Sequence, residues 1–371
     1  MPFLPEYDGP CLCNVAPALL NRLDAKGTPA PDWVPAPVSR AHQVVLLALD
    51  GLGWEQLADR PHLAPTLASG TGGPITSVAP STTAAALTSL ATGLPPAVHG
   101  MVGYRVLVDG QVMNVLGWRL GRSDARRRIR PRQFQPFPAF PRGGLRTPVV
   151  SRVDYGSTGF TAAYLADSVP HGFHTPSGMV LEVRELLAAG ELFVYAYYDG
   201  VDRVAHARGL GEHYDAELRA VDRIVADLLD ALPPGAALVV TADHGQVVVE
   251  TSEEVLGSDV MDGVVLLTGE GRFRWLHARP GATEDVASAC VAAFGHVAWV
   301  RTFEQMVDEG WLGGEPVPEV ASRLGDVALV PFAPIAFLDP ADTGEQRLVG
   351  RHGSLTSAEM LVPLISWEPK E

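Results

Sequence analysis

A chain of 371 residues with 47% hydrophobic content can bury a large core, which excludes a mostly disordered protein and favours one large domain carrying an insertion. A formal net charge of -15 argues against a non-specific nucleic-acid coat, but not against a phosphodiester substrate, because bound divalent metals invert a local field. The three cysteines, Cys11, Cys13 and Cys290, imply no disulfide framework; with no signal-like start and no run of roughly 18 apolar residues, a cytoplasmic protein without a membrane segment is expected.

The opening stretch, rich in proline, reads as an arm or loop lying over the body. HQVVLLALDGLG then has the continuous apolar run of a strand buried on both faces, ending at Asp50. The alanine and leucine pattern over 81–92 predicts a helix stopped by TGLPP, with Ser81, Thr82 and Thr83 in its first turn. Residues 104–150 read as irregular and hold the arginine-rich run RLGRSDARRRIRPR followed by FQPFPAFPRGG. Helices are expected over 158–165 and 180–189, then the strand ELFVYAYY, the helix HYDAELRAVDRIVADLLDAL and the strand ALVVTADHG. Strand, helix and strand with short links make a parallel sheet. Beyond Gly245, MDGVVLLTGEGRFRWLHA reads as a hairpin, TEDVASACVAAF as a helix and VAWVRT as a strand. This forms a compact α+β insertion over 252–313, after which the parallel sheet is expected to resume at DVALVPF. The core is therefore expected to comprise 1–251 and 314–371.

Asp50, Asp202, His206, Asp243, His244 and His352 are spread over some 300 residues, yet each follows a predicted strand. Side chains of these types at strand ends describe one site at the carboxyl edge of a sheet, able to hold two metals. A hydroxyl among Ser81, Thr82 and Thr83 can serve as the nucleophile. Taken singly, each residue has a structural explanation: Asp202 and His206 as an i,i+4 helix pair, Thr83 as an ordinary first-turn hydroxyl, Asp199 as a cap, and His99 as a structural hydrogen-bonding group. Trp54 and the FQPFPAF aromatics can stack on a base or simply be buried, and the arginines of 119–132 can meet phosphate or form a solvated face.

Together these blocks resemble the alkaline phosphatase superfamily, most closely its nucleotide pyrophosphatase/phosphodiesterase branch, over 44–353. Pro80, Thr83, Thr92-Gly93 and His99-Gly100 fit the register of the family's nucleophile segment, and the resemblance selects Thr83. Asp50, then Asp202 with His206 and Gly209, then Asp243-His244-Gly245, and finally His352-Gly353 match its metal-binding blocks. The chain departs from the family where Phe, Pro and Asn usually follow the nucleophile, having Ala84, Ala85 and Ala86 instead. A family Asn that contacts a phosphoryl oxygen aligns with Tyr104, which leaves Tyr104, Asn114 or a backbone amide as oxyanion donor.

The resemblance implies a three-layer α/β sandwich with a central mostly parallel sheet and a small inserted cap. It implies two divalent metals, zinc or manganese, with Asp50, Thr83, Asp243 and His244 around one and Asp202, His206 and His352 around the other, and Asp199 behind them. The expected reaction is cleavage of phosphodiester or nucleotide pyrophosphate bonds in a small phosphorylated substrate, such as a nucleotide, through a phosphothreonine. The alternatives are a phosphomonoesterase of the same superfamily and a catalytically silent phosphoryl-ligand binding protein.

Overall fold

The computed structural model describes residues 1–23, 29–249, 253–342 and 348–368. Three apolar runs, Ala236–Thr241, Gln43–Leu49 and Phe193–Tyr198, lie side by side in parallel and form the middle of a seven-stranded sheet. Every residue from Val44 to Leu49 is at 0% exposure, so this strand is covered on both faces, as expected where helices coat a parallel sheet. The full order is Thr71–Thr76, Leu361–Ser366, Ala236–Thr241, Gln43–Leu49, Phe193–Tyr198, Pro148–Arg152 and Val169–Phe173. Only Leu361–Ser366 runs against its neighbours. This is the mixed α/β architecture expected from the sequence, and its three central strands all end at the same edge.

Most of the expected helices form, with shifted ends: Pro176–Ala188 begins earlier than read, and Thr158 caps Gly159–Tyr164 by accepting from Thr161 N. The helix after the hydroxyl run spans Thr83–Thr92, so Thr82 is its N-cap and Ser81 lies outside it. Gly93 ends it in the left-handed conformation at φ 73°, which glycine adopts without strain.

Three expectations need correction. The opening arm contains a helix, Leu12–Leu23, whose buried face packs on Thr83–Thr92; its prolines, including Pro17 within the helix, hide the pattern. Residues 105–124, read as irregular, form a four-stranded antiparallel sheet of very short strands. The strand in DVALVPF, Val327–Pro331, does not rejoin the parallel sheet. It pairs antiparallel with Phe273–Ala278 and Ala298–Thr302 in a second four-stranded sheet. That sheet therefore reaches past 313, and Glu253–Val255 pairs with Ala336–Leu338 beside it. The expected start of the unit at 252 lies outside the described residues. Val327–Pro331 is buried along its whole length, so burial alone could not tell a parallel core strand from a strand of the smaller sheet.

Candidate active site

Asp50 follows Gln43–Leu49, Asp199 and Asp202 follow Phe193–Tyr198, and Asp243 and His244 follow Ala236–Thr241. Gly51, at φ +75°, makes their approach close: a Cβ there would stand 2.9 Å from Asp202 Cα, and Asp202 N donates to Asp50 O at 3.0 Å. His352 arrives from a separate loop, tied down by an antiparallel bridge between Ser81 and Gly353.

The three histidines share one hydrogen-bonding device. Each donates its Nδ1–H to a main-chain carbonyl: His206 to Gly350 O at 2.7 Å, His244 to Gly245 O at 3.0 Å and His352 to Ser81 O at 3.0 Å. That tautomer leaves Nε2 as a lone pair facing the site. Burial lowers the His244 pKa to about 4, and burial with the neighbouring imidazoles holds that of His352 well below its usual range, so both are neutral donors.

His244 Nε2 lies 3.1 Å from Thr83 Oγ1, 3.3 Å from Asp243 Oδ2 and 3.6 Å from Asp50 Oδ1. Asp202 Oδ1 lies 3.2 Å from His206 Nε2 and 3.8 Å from His352 Nε2. Two groups of donor atoms, Asp50 with Asp243 and His244, and Asp202 with His244 and His352, each fall within 4.8 Å. His244 belongs to both groups, and its ring stacks on that of His352 at 3.4 Å. His206 stands at the side of the second group, its ring 5.2 Å from His352.

The carboxylates also fit a cation. Asp50 Oδ2 accepts from the Tyr197 hydroxyl, and Asp243 Oδ1 accepts from Gly51 N and His244 N at 3.0 and 3.1 Å. Their other oxygens, Asp50 Oδ1 and Asp243 Oδ2, are buried with no hydrogen-bond partner among the described residues. Burial raises both pKa values, that of Asp243 to about 6, and Asp243 and Asp202 repel the charge on Asp50. Buried carboxylates with orphan oxygens, beside neutral imidazoles, fit the donor set that a divalent metal takes, which makes this a candidate metal centre.

The three hydroxyls expected near the nucleophile separate in space. Thr83 opens onto two adjoining cavities of ≈ 280 and ≈ 210 Å³, and Thr82 lines only the first. Ser81 Oγ is committed to Ser354 O and Gly353 N. Tyr104 lines the first cavity, whereas Asn114 stands behind it, donating to Tyr104 Oη at 2.7 Å and accepting from Gly117 N. Asp199 receives Tyr155 Oη and, at 3.3 Å, Arg203; it lines the second cavity. His99 is structural: Met101 N donates to its Nδ1 and its Nε2–H meets Ser89 Oγ at 2.8 Å. Phe140 is buried against Phe193 and Tyr195, and Trp54 packs on the core.

Sequence reasoning missed several residues. Tyr197 holds Asp50, and Gln246 donates to Asp202 Oδ1 at 2.6 Å while Gln56 grips Gln246 O. Gln246 directly follows the DHG block, so its neighbourhood was visible although its partner was not. Glu270 and Arg272 reach the first cavity from the inserted hairpin, so the insertion borders the cleft.

The architecture is similar to solved structures of murine and human ectonucleotide pyrophosphatase/phosphodiesterase 5. The TM-score is 0.65 for each, at 16% and 17% identity, covering 87% of this chain and 87% of each of those chains. A second murine structure, an inactive threonine-to-alanine variant in complex with AMP, matches equally well at 16% identity. No curated protein matches the chain. The profile of type I phosphodiesterases and nucleotide pyrophosphatases spans residues 44–355, from the strand before Asp50 to just beyond His352. The chain thus belongs to the type I phosphodiesterase/nucleotide pyrophosphatase family, within the alkaline phosphatase superfamily, and is a hydrolase of that family.

Proposed function

We propose that the protein cleaves phosphodiester or nucleotide pyrophosphate bonds with two divalent metals and Thr83 as nucleophile. The observation that carries this reading is the meeting of Thr83 Oγ1, His244 Nε2 and the orphan oxygens of Asp50 and Asp243 at one buried point. Asp50, Thr83, Asp243 and His244 would hold one ion and Asp202, His206 and His352 the other, with zinc or manganese suiting the mixed donors. Two such ions supply the concentrated positive charge that offsets repulsion between an anionic ester and its attacking oxygen.

Attack by Thr83 forms an Oγ1–P bond as the bond from phosphorus to the leaving oxygen breaks. Water then hydrolyses the phosphothreonine and restores the hydroxyl. The helix Thr83–Thr92 begins at the nucleophile, so its unpaired main-chain N–H groups face the phosphoryl oxygens, with the Tyr104 hydroxyl on the cavity wall as a second donor. The aromatic lining of the second cavity, from Tyr155, Phe160 and Tyr164, suits a planar base, and the AMP complex of the murine relative supports a nucleotide. A phosphomonoesterase is the second reading, favoured by Arg351 in the first cavity, since a doubly charged monoester uses added positive contacts.

Thr83→Ala should keep the fold and most metal binding but lose turnover by about 1000-fold or more, several kcal/mol of transition-state stabilisation. Thr83→Ser should retain a measurable fraction. Rapid acid quenching and peptide mass analysis should place phosphate on Thr83, and assays with bis-p-nitrophenyl phosphate and p-nitrophenyl phosphate should show a diester preference. Phosphate trapped on Ser81 or Thr82 would reject the nucleophile, and a strong monoester preference would move the assignment to the second reading.

A further inference from the structure

The two proposed metal sites differ in how their carboxylates are hydrogen-bonded. Around Thr83, the bonds to Asp50 and Asp243 fall on the oxygens turned away, and the facing oxygens Asp50 Oδ1 and Asp243 Oδ2 have no hydrogen-bond partner among the described residues. At the other site Asp202 is the single carboxylate, and Gln246 Nε2 donates to its Oδ1 at 2.6 Å. That is the oxygen facing His206 Nε2 at 3.2 Å and His352 Nε2 at 3.8 Å. Both histidines give their Nδ1–H to main-chain carbonyls, so three acceptors face one another, and Gln246 supplies the N–H that meets them.

Gln246 is held in place for this contact. It is 1% exposed, its main-chain carbonyl accepts from Gln56 Nε2 at 2.7 Å, and the same amide of Gln56 reaches Ala358 O at 3.2 Å. Gln56 is itself buried, on the short helix Trp54–Ala58. Glycines clear the path, since a Cβ at Gly51 would stand 2.9 Å from Gln246 Nε2 and one at Gly53 would overlap Gln56 Oε1. The side-chain carbonyl oxygens, Gln246 Oε1 and Gln56 Oε1, are buried with no hydrogen-bond partner among the described residues. A buried acceptor left in that state is costly, so the two amides are not arranged for their own hydrogen bonding. Their N–H groups are directed at Asp202 and at the main chain that carries Gln246.

The bond to Asp202 has two opposed effects on a cation. It draws charge from the ligand oxygen, and it fixes the plane of the carboxylate beside His206 and His352. Orientation wins by magnitude, because losing a group that orients a metal ligand costs about 10- to 100-fold in affinity. Without Gln246, the nearest ring N–H for Oδ1 is that of His206 in its other tautomer, and the pair so formed would tie up two ligand atoms.

We propose that Gln246 is a positioning residue that holds Asp202 open to a cation, and that this site, with one carboxylate already sharing its facing oxygen, is the looser of the two and fills second. The inference rests on the two-metal reading above.

The test reads metal binding apart from turnover. Metal-stripped protein is titrated with zinc by calorimetry, and the retained ions are counted by native mass spectrometry. The parent should show two binding events, of which Asp202→Ala should remove only the weaker. Gln246→Met, close in volume but without the amide, should weaken that second event about 10- to 100-fold and leave the first unchanged. Gln246→Asn keeps an amide one methylene short of Asp202 and should give the same selective loss, which decides the matter should methionine unfold the protein. Diester turnover should fall in both variants at stoichiometric zinc and return in excess zinc, a rescue that lost packing does not produce. Two events of unchanged affinity in both variants overturn the role of Gln246, as does a loss shared equally by both events. A single event in the parent instead removes the two-metal reading, and this inference with it.

Discussion

At the scale of single residues, hydrogen bonds orient the site and leave one donor atom of each histidine, of Asp50 and of Asp243 facing inward. Main-chain carbonyls take the Nδ1–H of His206, His244 and His352, and Tyr197 occupies Asp50 Oδ2, while Gln246 donates to Asp202 Oδ1, the oxygen that also faces His206 and His352. Asp243→Ala and His352→Ala remove donors from opposite sides of His244, so each should lower metal content and reduce activity by at least about 10-fold, the scale seen when a metal's surroundings are damaged. Metal analysis on the same samples as the kinetics checks this, and unchanged content with unchanged rates in both would sink the ligand assignment. The residue types at strand ends were legible in the sequence because carboxylates and imidazoles announce their chemistry. Tyr197 and Gln246 were not, since a tyrosine in an apolar strand and a glutamine in a loop gain their roles only from the carboxylate they meet.

The elements carry the site through packing. The helix Leu12–Leu23 buries one face on Thr83–Thr92 and so braces the helix that begins at Thr83. Leu19 is at 1% exposure, and Leu19→Ala should cost about 2 to 5 kcal/mol of stability from lost burial and the cavity left behind, measurable by urea unfolding. A cost below about 0.5 kcal/mol, the scale of a surface substitution, would mean that this helix does not brace the core. The inserted hairpin contributes through its rim: Glu270→Gln should shift the ratio of diester to monoester turnover while leaving metal content unchanged. Loss of metal with no change in that ratio would assign Glu270 to the metal site instead. Most helices and the hairpin were readable from their periodicity, but Leu12–Leu23 was hidden by its prolines and the partner of Val327–Pro331 was not legible, because an all-buried strand looks the same in either sheet.

For the whole molecule, burial of neutral histidines ties stability to pH. Burial and the nearby Arg323 lower the pKa of His99 to about 3, and burial lowers that of His277 to about 4, against an ordinary value near 6.5. The unfolded chain therefore binds a proton that the folded chain refuses. The contribution is fully present above about pH 6.5 and is lost as pH falls toward the folded value, at about 1.4 kcal/mol per pH unit for each histidine. His99→Gln should make unfolding free energy less dependent on pH, by roughly 2 kcal/mol between about pH 6.5 and about pH 5. Parallel pH profiles for parent and variant would show that His99 is protonated without cost in the fold.

The sequence by itself determined the class of fold and named the candidate site residues. Continuous apolar runs make buried strands, and Asp and His at their ends carry metal chemistry wherever they converge. Only the tertiary structure decided which atoms converge. It separated Thr83, 3.1 Å from His244, from Thr82 at the helix cap and Ser81 in the loop that holds His352, a distinction set by helix phase and long-range pairing. It also assigned Val327–Pro331 to the smaller sheet and brought Glu270 and Arg272 to the cavity. Strand pairing and cavity walls join residues far apart in the chain, and local sequence cannot encode them because their energy comes from the partner surface.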